Sequence, residues 1–193
     1  MNFLAHCFLS FDNDQVLIGN FIADHIQGNN FQNLTPEMIK GIMLHRAIDS
    51  FTDAHPITLS SRKKLYPSQR KYAGVVVDMF YDHFLAANFH HYSETTLQLF
   101  SQRTYQLLQE YNPYLPTSVL HFLPFMIERN WLLNYATLDG IHTALKGLSR
   151  RVKFDNNMHK AIDDLTLNYP VFESEFKSFF PLLIHHSKAV YGI

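Results

Sequence analysis

Residues 72–88 read YAGVVVDMFYDHFLAAN, an almost wholly apolar run that two carboxylates and one imidazole interrupt. A helix that is apolar on every side is usually buried, and a buried carboxylate is costly unless it is paired or bound to a metal. Asp78 and Asp82 lie four residues apart, so they project from one helical face. The run therefore predicts a buried helix that carries polar ligands, with His83 beside them, into the protein interior.

Three upstream segments repeat this pattern of apolar residues interrupted by ligand-type side chains. The interrupting residues are His6 in the first segment, Asp24 and His25 in the second, and His45, Asp49 and Asp53 in the third. Each of them alone has an ordinary explanation, such as a satisfied core histidine, a cap or a surface pair. Coincidence in four helices is the weaker explanation, because lysine and arginine are absent before Lys40. We therefore expect a divalent metal site.

Composition places the chain among globular proteins with a hydrophobic core. With 193 residues, of which 47% are hydrophobic, it can bury a sizeable core. The single cysteine, Cys7, excludes a disulfide framework and suits a reducing compartment, so we expect a cytoplasmic protein. A formal charge of -1 argues against a general nucleic-acid binder. No apolar run is long enough for a membrane helix.

Helical periodicity dominates the whole chain, and we find no repeat or linker. The predicted helices cover about residues 2–10, 15–27, 36–54, 57–65, 72–88, 93–111, 138–151, 156–168 and 171–191, with another helical pattern around Pro124. Thr35-Pro36 is typical of a helix start, whereas the residue before Pro56 avoids helical geometry and should end a helix. Pro124 should kink its helix. The prediction is an all-α, single-domain helical bundle spanning residues 1–193.

The ligand types restrict the metal and the chemistry. Carboxylates and imidazoles without a thiolate favour Mn²⁺, Mg²⁺ or Fe²⁺ over structural zinc. The chain lacks the Glu-x-x-His pairs of di-iron bundles and has no glycine-rich phosphate loop. Hydrolysis by a metal-activated water is the simplest chemistry that remains.

Short motifs along nearly the whole chain resemble one known family. They are Asn2-Phe3-Leu4-Ala5-His6, Gly19-Asn20 with Ala23-Asp24, His45-Arg46 with Ile48-Asp49, Thr52-Asp53, Asp82-His83-Phe84-Leu85 and Trp131-Leu132. In this order and spacing they resemble the acyl carrier protein phosphodiesterase family. That family looks like a divergent relative of the HD phosphohydrolases, which are all-helical metal enzymes.

The resemblance implies a reaction and a set of site residues. The expected reaction is hydrolysis of the phosphodiester that joins 4′-phosphopantetheine to a serine of holo-acyl carrier protein, with Mn²⁺, giving the apo protein and free 4′-phosphopantetheine. The His-Asp doublet that names the HD superfamily is absent here, so the ligands are predicted as a pool. This pool is His6, Asp24, His45, Asp49, Asp82 and His83. Asp24 or Asp78 would orient or deprotonate the water, and His25, His55 and His90 are candidate proton donors to the serine.

Basic residues are clustered where an acidic partner could dock. Acyl carrier proteins are small and acidic, and five of the 16 basic residues lie within residues 62–71, which contain no acid. These five are Arg62, Lys63, Lys64, Arg70 and Lys71. A solvated surface explains such a run about equally well. A second cluster comprises Lys146, Arg150, Arg151 and Lys153, and Arg46 could bind a phosphate bidentately.

Three other functions compete with this interpretation. An HD-like phosphohydrolase acting on a nucleotide or another small phosphoester would use the same metal site. A helical module could bind acyl carrier protein without hydrolysing it. A carboxylate-bridged redox bundle is disfavoured by the missing Glu-x-x-His pairs.

Overall fold

A computed structural model describes all 193 residues and contains helices and turns but no β-strand. The α-helices are α1 (Phe3–Phe8), α2 (Asp14–Ile22), α3 (Pro36–Ala54), α4 (Pro56–Gln69), α5 (Ala73–Ala87), α6 (Leu97–Glu110), α7 (Thr117–Glu128), α8 (Trp131–Asn134), α9 (Leu138–Arg151), α10 (Ala161–Leu167) and α11 (Tyr169–Tyr191). Short 3₁₀ turns occur at Ala23–His25, Arg70–Tyr72, Phe89–His91, Asn112–Tyr114 and Met158–Lys160. The all-α prediction is confirmed. No helix combines the length and the apolar content needed to cross a membrane.

Several helix ends differ from the predicted boundaries: α2 ends at Ile22 and not at residue 27, and α10 begins at Ala161 and not at residue 156, because 3₁₀ turns occupy the neighbouring residues. Helix α4 runs to Gln69 instead of Leu65, with Pro67 inside it. Helix α6 begins at Leu97 because the side chain of Thr96 accepts a hydrogen bond from Leu99 N at 3.2 Å. Ser93, where the predicted helix over residues 93–111 begins, instead makes a local turn in which its hydroxyl accepts from Thr95 N.

Helices α2 and α3 cross at two glycines, where their backbones touch. A Cβ atom at Gly41 would lie 2.2 Å from the carbonyl oxygen of Val16, and one at Gly19 would lie 1.9 Å from the carbonyl oxygen of Met38. Only glycine permits such an approach. The crossing brings the backbone carbonyl of Asn20, on α2, within 2.7 Å of the His45 ring on α3.

We expect Gly41→Ala to destabilise the protein by about 1–3 kcal/mol, because the added methyl group must push the two helices apart. Urea unfolding would measure the loss. Gly147→Ala is the matched control: a Cβ there meets nothing within 4 Å, so alanine should stabilise helix α9 by up to about 1 kcal/mol. Equal changes at the two glycines would contradict the close crossing.

Helix α5 lies at the centre of the molecule, as its apolar sequence predicts. It packs against α1, α4, α9 and α11. Phe80 and Phe84 are fully buried, with ring centroids 5.2 Å from Phe172 and 5.9 Å from Phe176, respectively. The same helix presents Asp78 and Asp82 to the start of α1, where they contact Met1 and Leu4, respectively.

Candidate metal centre

Helices α1 and α3 bring two histidines and one carboxylate together. The rings of His6 and His45 stack with their centroids 3.8 Å apart and their planes 12° from parallel. Asp49, one turn after His45, places Oδ1 3.2 Å from His6 Nε2 and Oδ2 3.1 Å from His45 Nε2. The potential ligand atoms of these three residues lie within 4.8 Å of one another. We call His6, His45 and Asp49 the triad.

Asn20 orients both imidazoles. Its amide nitrogen donates to the carbonyl oxygen of His6 at 2.8 Å and to the hydroxyl of Ser10 at 3.2 Å. Its Oδ1 therefore accepts from His6 Nδ1 at 2.8 Å, and its backbone carbonyl accepts from His45 Nδ1 at 2.7 Å. Both Nε2 atoms are left facing Asp49. The sequence resemblance included Asn20 but gave it no role; an amide buried in an apolar helix was the available signal.

The charges of the triad are strongly coupled. Burial and the neighbouring His45 lower the pKa of His6 to about 4, so His6 is neutral. Burial also opposes charge on His45, but the carboxylates of Asp24 and Asp49 outweigh it and raise the pKa of His45 to about 9. Burial would raise the pKa of Asp49, yet its close contacts with His45 and His6 and the nearby Met1 α-amine hold it well below its usual range. The arrangement favours positive charge beside Asp49.

The triad fits a divalent cation. His6 Nε2 is buried and has no hydrogen-bond partner, because its approach to Asp49 lacks hydrogen-bond geometry. An unsatisfied buried polar atom is costly, and an ion would satisfy it. Histidine ligands in metal sites usually donate their other ring N–H to a carbonyl or carboxylate, as both histidines do to Asn20. Two imidazole nitrogens with a carboxylate suit a divalent transition metal such as Fe²⁺, Mn²⁺ or Zn²⁺ better than Mg²⁺, which prefers oxygen ligands.

Two further carboxylates border the triad. Asp24 Oδ1 lies 3.1 Å from His45 Nε2, and this contact lowers the pKa of Asp24 although most of its side chain is exposed. Asp78 Oδ1 lies 3.2 Å from the α-amine of Met1, which is also 3.4 Å from Asp49 Oδ1. Burial raises the pKa of Asp78 even though the amine opposes the shift.

Asp82 does not join the triad, although it was predicted as a ligand. Its carboxylate accepts backbone N–H bonds from Asn2 at 3.2 Å, Leu4 at 2.8 Å and Ala5 at 3.3 Å. These groups are the free donors at the start of α1, which a carboxylate satisfies well. Burial raises the pKa of Asp82 to about 7, against the effect of the Met1 α-amine and the three N–H groups. The structure gives Asp82 the role of a helix cap.

His83 also lies outside the triad. Its Nδ1 donates to the carbonyl oxygen of Tyr135 at 2.8 Å, and its Nε2 lies 3.0 Å from the hydroxyl of Tyr169. Both ring nitrogens are thus occupied by protein groups. Burial lowers the pKa of this imidazole, which favours its neutral form. The structure gives His83 the role of a bridge between α5 and two later segments.

We expect His83→Gln to flatten the acid dependence of stability. Because the pKa of His83 is lowered from its ordinary value of 6.5, the folded protein binds fewer protons than the unfolded chain as the pH falls. The contribution of neutral His83 is therefore present above pH 6.5 and is lost below it. Free energies of unfolding from urea titrations between pH 5 and 8 should fall less steeply for the variant. If the free energies of unfolding of the variant and the wild type fell equally steeply with pH, His83 would not be a buried neutral histidine.

His25 and Arg46, both predicted at the site, are engaged elsewhere. His25 Nδ1 lies 2.8 Å from Ser118 Oγ on α7. The Arg46 guanidinium donates to the carbonyl oxygen of Gly28 and, at 3.2 Å, to Asn29 Oδ1. Neither side chain contacts the triad.

The predicted basic run is only partly free. Arg62 is paired with Asp53, and Lys64 Nζ lies 2.5 Å from Glu175 Oε1. Lys71 Nζ stands 4.4 Å from the ring centroid of Phe154. Lys63 and Arg70 have exposed side chains and no ion pair. Of the five positive charges, two are therefore offset by carboxylates.

Comparison with known proteins gives a consistent result. The chain is 31% identical over 189 residues to an acyl carrier protein phosphodiesterase of Photorhabdus laumondii, an alignment that covers 97% of this chain and 96% of the relative. It is 31% identical to the protein of that name from an Enterobacter strain and 29% identical to that from Yersinia enterocolitica, with 97% of this chain and 98% of each relative covered. No solved structure gives a significant match. The family model described as acyl carrier protein phosphodiesterase matches residues 1–183, so the chain belongs to the acyl carrier protein phosphodiesterase family.

Proposed function

We propose that the protein hydrolyses the phosphodiester between 4′-phosphopantetheine and the serine of holo-acyl carrier protein, releasing the apo protein. The observation that carries the proposal is the triad of His6, His45 and Asp49, whose two histidines are buried, in a chain that belongs to this family. The triad would hold a divalent ion, for which Mn²⁺ is our first choice. When bound, the ion would supply Lewis acidity at a phosphoryl oxygen and lower the pKa of a water molecule.

The two bordering carboxylates suit opposite proton-transfer roles. Asp24 has a lowered pKa and a largely exposed side chain, so it is ionised and can accept the proton of the attacking water. Burial raises the pKa of Asp78, so it is the better of the two carboxyl groups to deliver a proton to the departing serine oxygen. Environments that drive two carboxyl pKa values apart are typical of acid–base pairs. The water oxygen bonds to phosphorus as the bond between phosphorus and the serine oxygen breaks.

A surface where two basic clusters meet suits an acidic protein substrate. The two basic clusters that are far apart in the sequence lie side by side, because Lys71 contacts Phe154 and Asn157 Nδ2 donates to the carbonyl oxygen of Ser68 at 3.1 Å. The combined surface includes Lys63 and Arg70 from the first cluster. From the second cluster it includes Lys146, Arg150, Arg151 and Lys153.

We expect Lys63→Glu combined with Arg70→Glu to raise KM for holo-acyl carrier protein with little change in kcat. Docking charges steer association, and salt screens them over a Debye length of about 10 Å at 0.1 M. Kinetics at two salt concentrations would show the effect shrinking at high salt. The matched control, Lys40→Glu with Lys177→Glu, reverses two charges elsewhere and should leave KM unchanged. If both double variants changed KM equally, this surface would not be the docking site.

Substrate comparison tests the function against a small-molecule phosphohydrolase. Holo-acyl carrier protein, nucleotides and bis-p-nitrophenyl phosphate would be incubated separately with the protein and Mn²⁺, with and without a chelator. We expect turnover of holo-acyl carrier protein that stops on chelation. Faster turnover of a nucleotide would favour the competing function. Binding of holo-acyl carrier protein without loss of its prosthetic group would favour a non-enzymatic module.

A further inference from the structure

A cavity of about 330 Å³ lies beside the triad, between the start of α1, helix α5 and the segment from α7 to α9. Its volume is within the range of small-molecule sites, roughly 300–1,000 Å³. Residues that line it include Asn2, Met79, Arg129, Trp131, Asn134 and Arg151. None of the triad residues lines this cavity, so it is a separate space.

The cavity shares a wall with the candidate metal centre. Asn2 and Met79 line it and contact each other through the Asn2 amide and the Met79 sulfur. Their chain neighbours, Met1 and Asp78, meet on the other side of this wall, 3.2 Å apart from amine to carboxylate, and the amine lies 3.4 Å from Asp49. The cavity and the centre therefore lie on opposite sides of the contact between Asn2 and Met79.

The lining offers cationic, amide and aromatic groups together. Neither Arg129 nor Arg151 is paired with a carboxylate, and the Arg151 guanidinium stands 5.9 Å from the centroid of the Trp131 ring. The rings beside the cavity lead toward Asp24: Trp131 stacks on Phe122 with centroids 6.0 Å apart, and Phe122 lies 5.7 Å from the ring of His25, the residue after Asp24. A substrate chain can follow these rings from a phosphorus atom at the centre into the cavity.

We infer that this cavity holds the pantetheine arm of the substrate while its phosphate lies at the triad. The inference rests on the proposed function and names the part of the substrate that the protein itself binds. The arm is a linear chain with two amides, a hydroxyl and a pair of methyl groups. Asn134 and Thr143 can hydrogen-bond its amides, the indole of Trp131 offers an apolar surface to its methyl groups, and Arg151 can donate to its carbonyl and hydroxyl oxygens.

Trp131 is the only tryptophan of the chain and gives a direct readout. Wild-type protein with Mn²⁺ would be titrated with 4′-phosphopantetheine and with pantetheine, neither of which contains the bond to serine, while the indole fluorescence is recorded. We expect a saturable change with both compounds and tighter binding of the phosphorylated one. No saturable change with either compound would overturn the inference.

A cavity-filling variant makes the test specific. Gly147 lines the cavity, and a Cβ there meets nothing within 4 Å, so Gly147→Leu should fill the space while favouring helix α9. We expect it to weaken binding of 4′-phosphopantetheine by about tenfold or more and to raise KM for holo-acyl carrier protein. The matched control, His142→Leu, adds the same side chain to the same helix outside the cavity and should bind normally.

The outcomes separate the two proposals. Suppose that the wild type hydrolyses holo-acyl carrier protein, and that Gly147→Leu and His142→Leu have the same affinity for the arm and the same KM. The cavity assignment is then wrong, and the proposed function stands. If the arm binds and Gly147→Leu abolishes that binding, but holo-acyl carrier protein is not cleaved, the cavity assignment stands and the proposed function is wrong.

Discussion

Asp49→Asn is expected to lower kcat/KM for holo-acyl carrier protein by more than about 100-fold, the upper end of what loss of an outer-shell partner costs in metal sites. The reason is geometric: Asp49 reaches Nε2 of both His6 and His45, at 3.2 Å and 3.1 Å. An amide keeps the shape of the side chain but removes the negative charge that a divalent ion needs. Steady-state kinetics over a range of Mn²⁺ concentrations, together with calorimetric Mn²⁺ titration, would measure the loss.

Asp53→Asn is the matched control for this prediction. It makes the same substitution one turn further along α3, where Asp53 is largely exposed and pairs with Arg62. We expect activity and Mn²⁺ affinity close to wild type, since an exposed pair contributes little. If Asp49→Asn kept wild-type affinity for Mn²⁺, Asp49 would not be a ligand.

Asp82→Ala is expected to destabilise the protein by about 3–5 kcal/mol, the cost of removing one partner of a buried charged interaction. The substitution leaves the N–H groups of Asn2, Leu4 and Ala5 without their acceptor at the start of α1. Unsatisfied buried donors and a lost helix cap both contribute to this cost. Urea unfolding in chelator and in Mn²⁺ would give the same loss in both, because the role of Asp82 is structural.

Asp82→Asn provides a second measurement if the alanine variant folds poorly. Asparagine keeps one acceptor oxygen, so its loss of stability should be smaller than that of alanine. A loss of stability seen only in the presence of Mn²⁺ would contradict the capping role and return Asp82 to the set of ligands.

The sequence predicted the buried helix and part of the site, because both depend on spacing within one helix. The apolar run around Asp78 could belong only to a core helix, and α5 occupies that position. His45 and Asp49 are four residues apart on α3, so their shared face followed from helical geometry alone. Such relations within one helix do not depend on how the helix packs against the rest of the chain.

Relations between distant segments could not be read in the same way. Asp78 and Asp82 have the same spacing as His45 and Asp49, yet only Asp78 borders the triad. Asp82 accepts hydrogen bonds from the backbone at the start of α1, about 80 residues earlier in the chain. Because every residue except proline has a backbone N–H group, the sequence does not reveal such a donor. The contact of Asn20 with His45 could not be predicted either, because it is made by the backbone carbonyl oxygen of Asn20 and not by its side chain.

The central claim is that the triad cleaves the bond between phosphorus and the serine oxygen of holo-acyl carrier protein. Intact-mass spectrometry of holo-acyl carrier protein, incubated with the protein and Mn²⁺ in ¹⁸O-labelled water, tests it most directly. We predict that the carrier protein loses the mass of its prosthetic group and that one ¹⁸O atom appears in the released 4′-phosphopantetheine. With Asp49→Asn in place of the wild type, the mass of the carrier protein should stay unchanged over the same incubation. A carrier protein of unchanged mass with the wild type, or ¹⁸O in the serine, would contradict the account.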